Sequence, residues 1–286
     1  MERSDIEALQ GWVGRAQTAD DRAAAAPLAG LAGLLDHVTP PWISGEVPPL
    51  AHWLYFLPHQ RQSLLDTDGH AKRGDFLPPV PLPRRMWVGS RVRFLAPIPM
   101  DAAISRRSTI ATVTSKNGRS GPMVFVTVKH EITVGGTTAV VEEQDLVYRG
   151  AGTPAGSAPT AGSAPAPQVS RVSQATRTIT PDPVQLFRFS ALTFNAHRIH
   201  YDRDYARNVE GYPGLVVHGP LVATLLMDHF LRHSGGRMVS AFSFRAERPL
   251  FDTAPFDVCF AASDVGADLW AVDVNGATAF TAAVGR

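Results

Sequence analysis

Two short runs in the second half of the chain hold side chains that could do chemistry. The first, Phe189-Ser190-Ala191-Leu192-Thr193-Phe194-Asn195-Ala196-His197-Arg198-Ile199-His200-Tyr201-Asp202, packs hydrogen-bonding residues between aromatics. The second, Gly211-Tyr212-Pro213-Gly214-Leu215-Val216-Val217-His218-Gly219-Pro220, leads into an apolar stretch. Histidine titrates near neutrality and can both take and return a proton. Asparagine cannot take one, so Asn195 can only orient a water or an imidazole through hydrogen bonds. A glycine at the mouth of a helix lets a ligand approach unpaired backbone N–H groups, where the helix dipole favours developing negative charge. The Gly219 N–H is therefore a candidate oxyanion donor, with Pro220 in the first turn, where its missing N–H costs nothing.

Plainer readings stand beside these. His197 and His200, with Asp202 nearby, could ligate a metal, but no third ligand has a convincing spacing and no metal is expected. His218 could simply orient the loop before the helix. Arg198 could pair with a ligand carboxylate or phosphate, or brace the surface. Asp66, Asp68 and Gly69 hint at a calcium loop whose later ligand positions are absent. Arg84, Arg85, Lys116 and Arg119 could meet coenzyme phosphates, although a solvated surface is the simpler reading of each.

The elements that must position these residues follow from pattern. Residues 1–16 and 27–38 read as helical, the second with Leu28, Leu31, Leu34 and Leu35 at the spacing of one helix face. The Pro-dense run from Asp75 to Pro83 excludes helix and central strand. Residues 108–115, 123–134 and 137–148 alternate as strands around Asn117-Gly118 and Gly135-Gly136, forming an antiparallel meander. Residues 150–168 are almost entirely Gly, Ala, Ser, Thr and Pro, the composition of a flexible linker. The pattern then repeats: an irregular stretch over 187–214, a helix over 220–233, and strands near 238–246, 256–262, 269–274 and 277–284, with Asn275-Gly276 as a hairpin turn. Leu221, Val222, Leu225, Leu226, Met227 and Phe230 leave that helix little polar face, so it should be buried on most sides. A buried helix followed by a meander implies a sheet curled around a helix, and two such units make a pseudo-dimer. The domains expected are 1–149, the linker 150–168, and 169–286.

Bulk composition narrows the class. The chain has 286 residues, 44% hydrophobic and 19% charged, which suits a globular protein of two modest domains. A formal net charge of +1 argues against electrostatically driven binding to nucleic acid or membrane. The single cysteine, Cys259, excludes an internal disulfide framework and sits in an alternating run as a buried core thiol. No apolar stretch approaches the roughly 20 residues of a membrane span, and the N-terminus lacks a basic run followed by an apolar one. A cytoplasmic location is expected.

At the two chemistry-bearing runs the sequence resembles the MaoC-like hydratases of the hotdog superfamily. It is most similar there to the subgroup of mesaconyl-C4-CoA and itaconyl-CoA hydratases and mitochondrial-type 3-hydroxyacyl-thioester dehydratases. In the first half, Asp68-Gly69-His70, Phe76-Leu77-Pro78-Pro79, Pro83-Arg84-Arg85-Met86-Trp87, Lys116-Asn117-Gly118-Arg119-Ser120-Gly121 and Glu142-Glu143-Gln144-Asp145 resemble that subgroup too. The resemblance implies an α+β double hotdog, two antiparallel sheets each wrapped around a central helix. It places His200 at the family's catalytic histidine, Gly219 at the glycine facing the thioester carbonyl, and Asn195 where the wider family has an aspartate.

The implied reaction is reversible addition of water to the double bond of a short unsaturated dicarboxylic CoA thioester. His200 would be sole acid and base, Asn195 would hold the water, and the Gly219 N–H would hold the thioester oxygen. His197, Arg198, Tyr201, Val217 and His218 are the expected substrate contacts. No cofactor is expected, since coenzyme A is part of the substrate. A homodimer of double hotdogs and a monomer both fit. The N-terminal half has no second Asn-x-x-x-x-His run, so it reads as a degenerate hotdog completing the acyl tunnel. Two alternatives remain: an (R)-3-hydroxyacyl-thioester dehydratase of fatty acyl metabolism, and a non-catalytic acyl-thioester-binding hotdog protein. A thioesterase fits less well, for want of an Asp or Glu base.

Overall fold

The alternating runs on either side of the chain's middle become strands of one sheet. In the computed structural model, which describes residues 3–118, 121–150, 172–235 and 238–285, all ten strands are hydrogen-bonded side by side. The first half supplies β1 (Ala16–Arg22), β2 (Arg84–Phe94), β3 (Ala103–Gly118), β4 (Gly121–Val134) and β5 (Thr137–Arg149). The second supplies β6 (Ala175–Ile179), β7 (Ala241–Ala246), β8 (Phe256–Ser263), β9 (Gly266–Asp273) and β10 (Thr278–Gly285). The order β1-β3-β4-β5-β2-β7-β10-β9-β8-β6 reads as one unit followed by its reverse. The halves join where β2 and β7 pair antiparallel, with Arg91 opposite Ser243 at the centre. The expected linker, apart from Gly150, lies outside the described residues.

An internal two-fold through that centre is visible in individual hydrogen bonds. Met100 N donates to Gly45 O and Val47 N to Ile98 O in the first half. Asp252 N donates to Leu215 O and Val217 N to Leu250 O in the second. The isolated bridges Glu46↔Pro99 and Val216↔Phe251 complete the match. Residues 45–47 thus correspond to 215–217, which pairs Pro49 with Gly219 two residues further on.

The helices are not equivalent. Helix α4 (Gly219–Ser234) lies against β8, β9 and β10, with Leu221, Val222, Leu225, Leu226, Met227 and Phe230 all buried. Each such side chain contributes about 1.5–3 kcal/mol of burial. Asp228 is tolerated on this buried helix because His37, Arg177 and Arg232 reach its carboxylate at 2.6, 3.0 and 2.9 Å. Gly235, at φ +62°, closes the helix in the left-handed conformation that glycine adopts most readily. In the first half, α2 (Ala25–Leu34) packs across onto α3 (Pro183–Thr193) of the second, and the stretch matching α4 holds only the 3-10 turns Ala51–Leu54 and Gln62–Leu64.

Several expectations need correction. Helix α1 (Arg3–Gln10) stops well short of residue 16, because Gly11 and Gly14, the latter at φ +88°, end it before β1. The stretch 187–214 is not irregular from its start. Asp182 caps α3 by accepting from Val184 N and Gln185 N at 2.7 and 2.9 Å, with Pro183 in the first turn. β7 begins at Ala241 rather than near 238. Strands β1, β2 and β6 were not foreseen: β1 is exposed almost throughout, and β2 carries four arginines on an incompletely alternating pattern. No helix among the described residues is long and apolar enough to cross a membrane.

Candidate active site

Where β2 meets the mouth of α4, the two halves enclose a cavity of about 450 Å³. The second half lines it with Asn195, His197, His200, Val217 and Gly219, and the first with His70, Arg85 and Trp87. Phe194 delivers the polar run. It ends α3 at φ +48°, a left-handed conformation costly for a bulky residue, and turns the chain so that Asn195 N still reaches Ser190 O at 2.8 Å. The following 3-10 turn, Arg198–His200, buries Ile199 and His200.

His200 donates from Nδ1 to the Val216 carbonyl at 2.7 Å. A carbonyl can only accept, so the proton belongs on Nδ1 and the lone pair on Nε2. Burial lowers the His200 pKa to about 4, outweighing the Val216 bond. At neutral pH the ring is therefore a neutral base. His218 stacks on it with centroids 3.7 Å apart and planes 18° apart. His218 is fully buried, its Nε2 shares a hydrogen bond with Ser190 Oγ at 2.8 Å, and burial holds its pKa well below the usual range. It backs His200 without lining the cavity.

Asn195 Oδ1 accepts from His197 N at 3.0 Å, leaving its amide NH₂ as a donor. The His197 ring stands perpendicular to His200 at 5.3 Å, and burial with the neighbouring histidines keeps it neutral. Gly219 N, in the first turn of α4, has no intrahelical acceptor, and no hydrogen bond among the described residues engages it. A Cβ on Gly219 would meet Trp87 O at 3.6 Å, an ordinary contact, so the protein's own packing does not demand glycine there.

Three of the expected contacts stand off the cavity: His218, behind His200, and Arg198 and Tyr201. Arg198 pairs with Asp202 at 2.7 Å, lies over Tyr205, and is not among the residues lining the cavity. Tyr201 is exposed, its hydroxyl on Ala196 O at 3.1 Å. Because Asp202 serves Arg198 and Tyr205 N, the triple His197, His200 and Asp202 is not assembled.

The sequence reading gave no catalytic role to Asp68 and His70. Asp68 Oδ2 holds His70 Nδ1 at 2.9 Å, and Oδ1 accepts from His70 N at 2.8 Å. Burial alone would raise the Asp68 carboxyl, but the bonds and charge of His70 outweigh it and hold the group well below the carboxylate range. The turn carrying them is docked on the catalytic run: Arg198 N donates to Asp68 O at 2.9 Å, and Arg198 Nη1 to Thr67 O at 3.2 Å. Gly69, at φ +93°, touches Ala196 so closely that a Cβ would fall 1.8 Å from its carbonyl oxygen. His70 thereby reaches His197, ring centroids 4.0 Å apart. Among the described residues, Asp68, His70 and His197 also form a group whose donor atoms, all within 4.8 Å of one another, could hold a metal. The sequence signal was Asp68-Gly69-His70 itself, which shows no periodicity.

The internal two-fold supplies a control. A second cavity, about 300 Å³, lies at the related position, lined by 94–98 and Val140 where the first uses 246–250 and Phe280. There Pro49 stands in place of Gly219 and has no N–H to offer. Its one histidine, His52, is engaged by buried Glu142 at 3.0 Å. Only one of the two cavities has the donor and the base together.

Comparison with known proteins places the chain among relatives. Residues 50–252 match the family described as hydroxyacyl-thioester dehydratase type 2. The chain is 49% identical over 276 residues to a mesaconyl-C(4)-CoA hydratase of Chloroflexus aurantiacus, covering 96% of both chains. It is 40% identical over 93 residues to the mitochondrial hydroxyacyl-thioester dehydratase type 2 of Schizosaccharomyces pombe, covering 32% of this chain and 30% of that one. Among solved structures, a MaoC-like dehydratase superposes with a TM-score of 0.70 at 14% identity, covering 97% of this chain and 99% of that one. A Mycobacterium tuberculosis protein described as a double hotdog gives 0.57 at 12% identity, covering 100% of both, and identifies the fold.

Proposed function

Since the chain belongs to the hydroxyacyl-thioester dehydratase type 2 family and is a hydro-lyase, we propose that it hydrates a short, branched, unsaturated dicarboxylic CoA thioester of the mesaconyl-C4-CoA or itaconyl-CoA kind. The relative from Chloroflexus aurantiacus supports that substrate class through identity over nearly the whole chain. The observation that carries the mechanism is the bond from His200 Nδ1 to Val216 O, which leaves a basic Nε2 in the same cavity as the unengaged Gly219 N–H.

In this mechanism Asn195 holds a water by its amide NH₂ and His200 Nε2 takes one of the water's protons. The water oxygen bonds to the β-carbon, and the electron pair of the double bond moves onto the thioester oxygen. The Gly219 N–H and the positive end of α4 stabilise that oxygen. His200 then returns the proton to the α-carbon on the same face, so the net change is addition of one water. The first half, whose own cavity lacks both donor and base, serves as the wall that closes the site.

Turnover of mesaconyl-C4-CoA, itaconyl-CoA and crotonyl-CoA by the purified protein, with His200→Ala as control, tests this. A diacid preference abolished in the variant supports both substrate and base. Preference for crotonyl or longer chains moves the protein to fatty acyl metabolism, and undiminished turnover by the variant removes His200 from the mechanism. Silence on all three favours a non-catalytic thioester-binding protein.

A further inference from the structure

We propose that Arg85 is the anchor for the substrate's distal carboxylate and so sets the preference for a diacid. The proposal rests on the hydratase reading above and adds the residue that distinguishes a diacid from a plain acyl group.

Four arginines lie near the start of β2, counting Arg149 opposite Arg84 on β5, and two are already engaged. Arg149 also lines the cavity, but Arg85 is the one whose charge bears on both His70 and His197. Arg73 donates to the carbonyls of Val80, Leu82 and Pro83. Arg84 is paired with Glu210 at 3.0 Å. Arg85, the next residue along the strand, points to the opposite face. It lines the cavity beside the buried Tyr148, and among the described residues no Asp or Glu forms an ion pair with it. Its guanidinium lies close enough to help push both His70 and His197 down in pKa, after burial itself. That end of the cavity is thus electropositive. Asp68, on the turn that carries His70, already accepts two hydrogen bonds from it.

A partly buried cation without a counter-ion is costly, and a ligand that supplies the anion removes the cost. The reaction dictates where that anion must be. In mesaconyl-C4-CoA the carboxylate sits on the β-carbon, the atom that receives the water. It must therefore lie within a few ångströms of the groups that handle the water, Asn195 and His200. Arg85 and His70 share their cavity and neighbour His197, which stands between His70 and His200 with centroid separations of 4.0 and 5.3 Å. A guanidinium can grip a carboxylate with two parallel hydrogen bonds.

The discriminating pair of substrates is mesaconyl-C4-CoA and 3-methylcrotonyl-CoA, in which a methyl replaces the carboxylate. The ratio of their kcat/KM values should fall about 10–100-fold in Arg85→Met, as expected for loss of a charge-assisted pair. Arg85→Lys, which keeps the charge without the fork, should give an intermediate ratio and covers the case in which the methionine variant does not fold. Equal losses on both thioesters, or an unchanged ratio, would overturn the assignment while leaving the diacid reading intact. An unmodified enzyme that hydrates both equally well would remove the diacid reading, and this proposal with it.

Discussion

His218 stacks face to face on His200, 3.7 Å away, yet never reaches the cavity. Its own Nε2 is tied to Ser190 on α3, so one helix fixes the plane of a base carried by the next loop. The stack keeps His200 Nε2 aimed while its Nδ1 is held by Val216. His218→Gln should therefore lower kcat about tenfold or more with a smaller change in KM, since small displacements of a positioned base are costly. Steady-state kinetics at saturating substrate reads the split; a pure KM effect would remove the positioning role.

His200 itself should leave two signatures in pH. Its pKa falls from 6.5 free to about 4 when folded, so the base stays neutral down to acidic pH. The acid limb of kcat/KM for an uncharged substrate should then lie near pH 4–5 rather than 6.5. Stability moves the same way. Between these two values the unfolded state binds the proton and the folded state does not, so stability is lost as pH falls through that window. The loss is on the order of 3 kcal/mol for this one ring. Denaturation midpoints of His200→Gln measured between pH 7 and 4 should fall less steeply than those of the unmodified protein.

At Gly69 the two halves touch closely beside the site. Alanine there meets both a positive φ and the Ala196 carbonyl oxygen at 1.8 Å, so the turn must lift off the catalytic run. Gly69→Ala should cost at least about 1–3 kcal/mol from the backbone conformation alone and displace His70 from His197. A lowered thermal midpoint together with reduced turnover is the expected result. By contrast, a methyl on Gly219 finds room among the protein's own atoms and intrudes only on a ligand. Gly219→Ala keeps the N–H, so it should leave the thermal midpoint nearly unchanged and lower kcat/KM by about tenfold, through the methyl displacing the thioester oxygen from that donor.

The contrast between those two glycines reflects what a sequence can display. Strands β3, β4, β5, β8, β9 and β10 and helix α4 are legible because each buries one face, or every face, with period-matched apolar residues. Asn195, His200 and Gly219 lie in contiguous runs that a local turn and a helix start bring into one cavity. Asp68, His70 and Arg85 reach it only because the first half docks on the second, and no local periodicity records a docking event. Strand β2 was hidden because it lies at the junction of the halves, where Arg84, Arg85, Arg91 and Arg93 break the alternation. Arg198 misled for the opposite reason: beside a catalytic histidine in sequence, it turns away to Asp202, four residues on along the same segment.

Asn195 offers the sharpest test of how this site differs from one built on a carboxylate. Asn195→Asp keeps the Oδ1 acceptor for His197 N, so the turn should hold and the fold should survive. What changes is the other atom, from an NH₂ that donates to the water into an oxygen that cannot. A carboxylate beside two neutral histidines also favours their charged forms, so the His200 pKa should rise from about 4 toward its ordinary value. The acid limb of the rate profile should move up with it, costing activity at pH 6 that the unmodified protein retains. The new charge further opposes an incoming diacid, so kcat/KM for mesaconyl-C4-CoA should fall more than for 3-methylcrotonyl-CoA. If the variant instead matched the unmodified protein on both substrates with an unshifted acid limb, Asn195 would neither hold the water nor sit within electrostatic reach of His200.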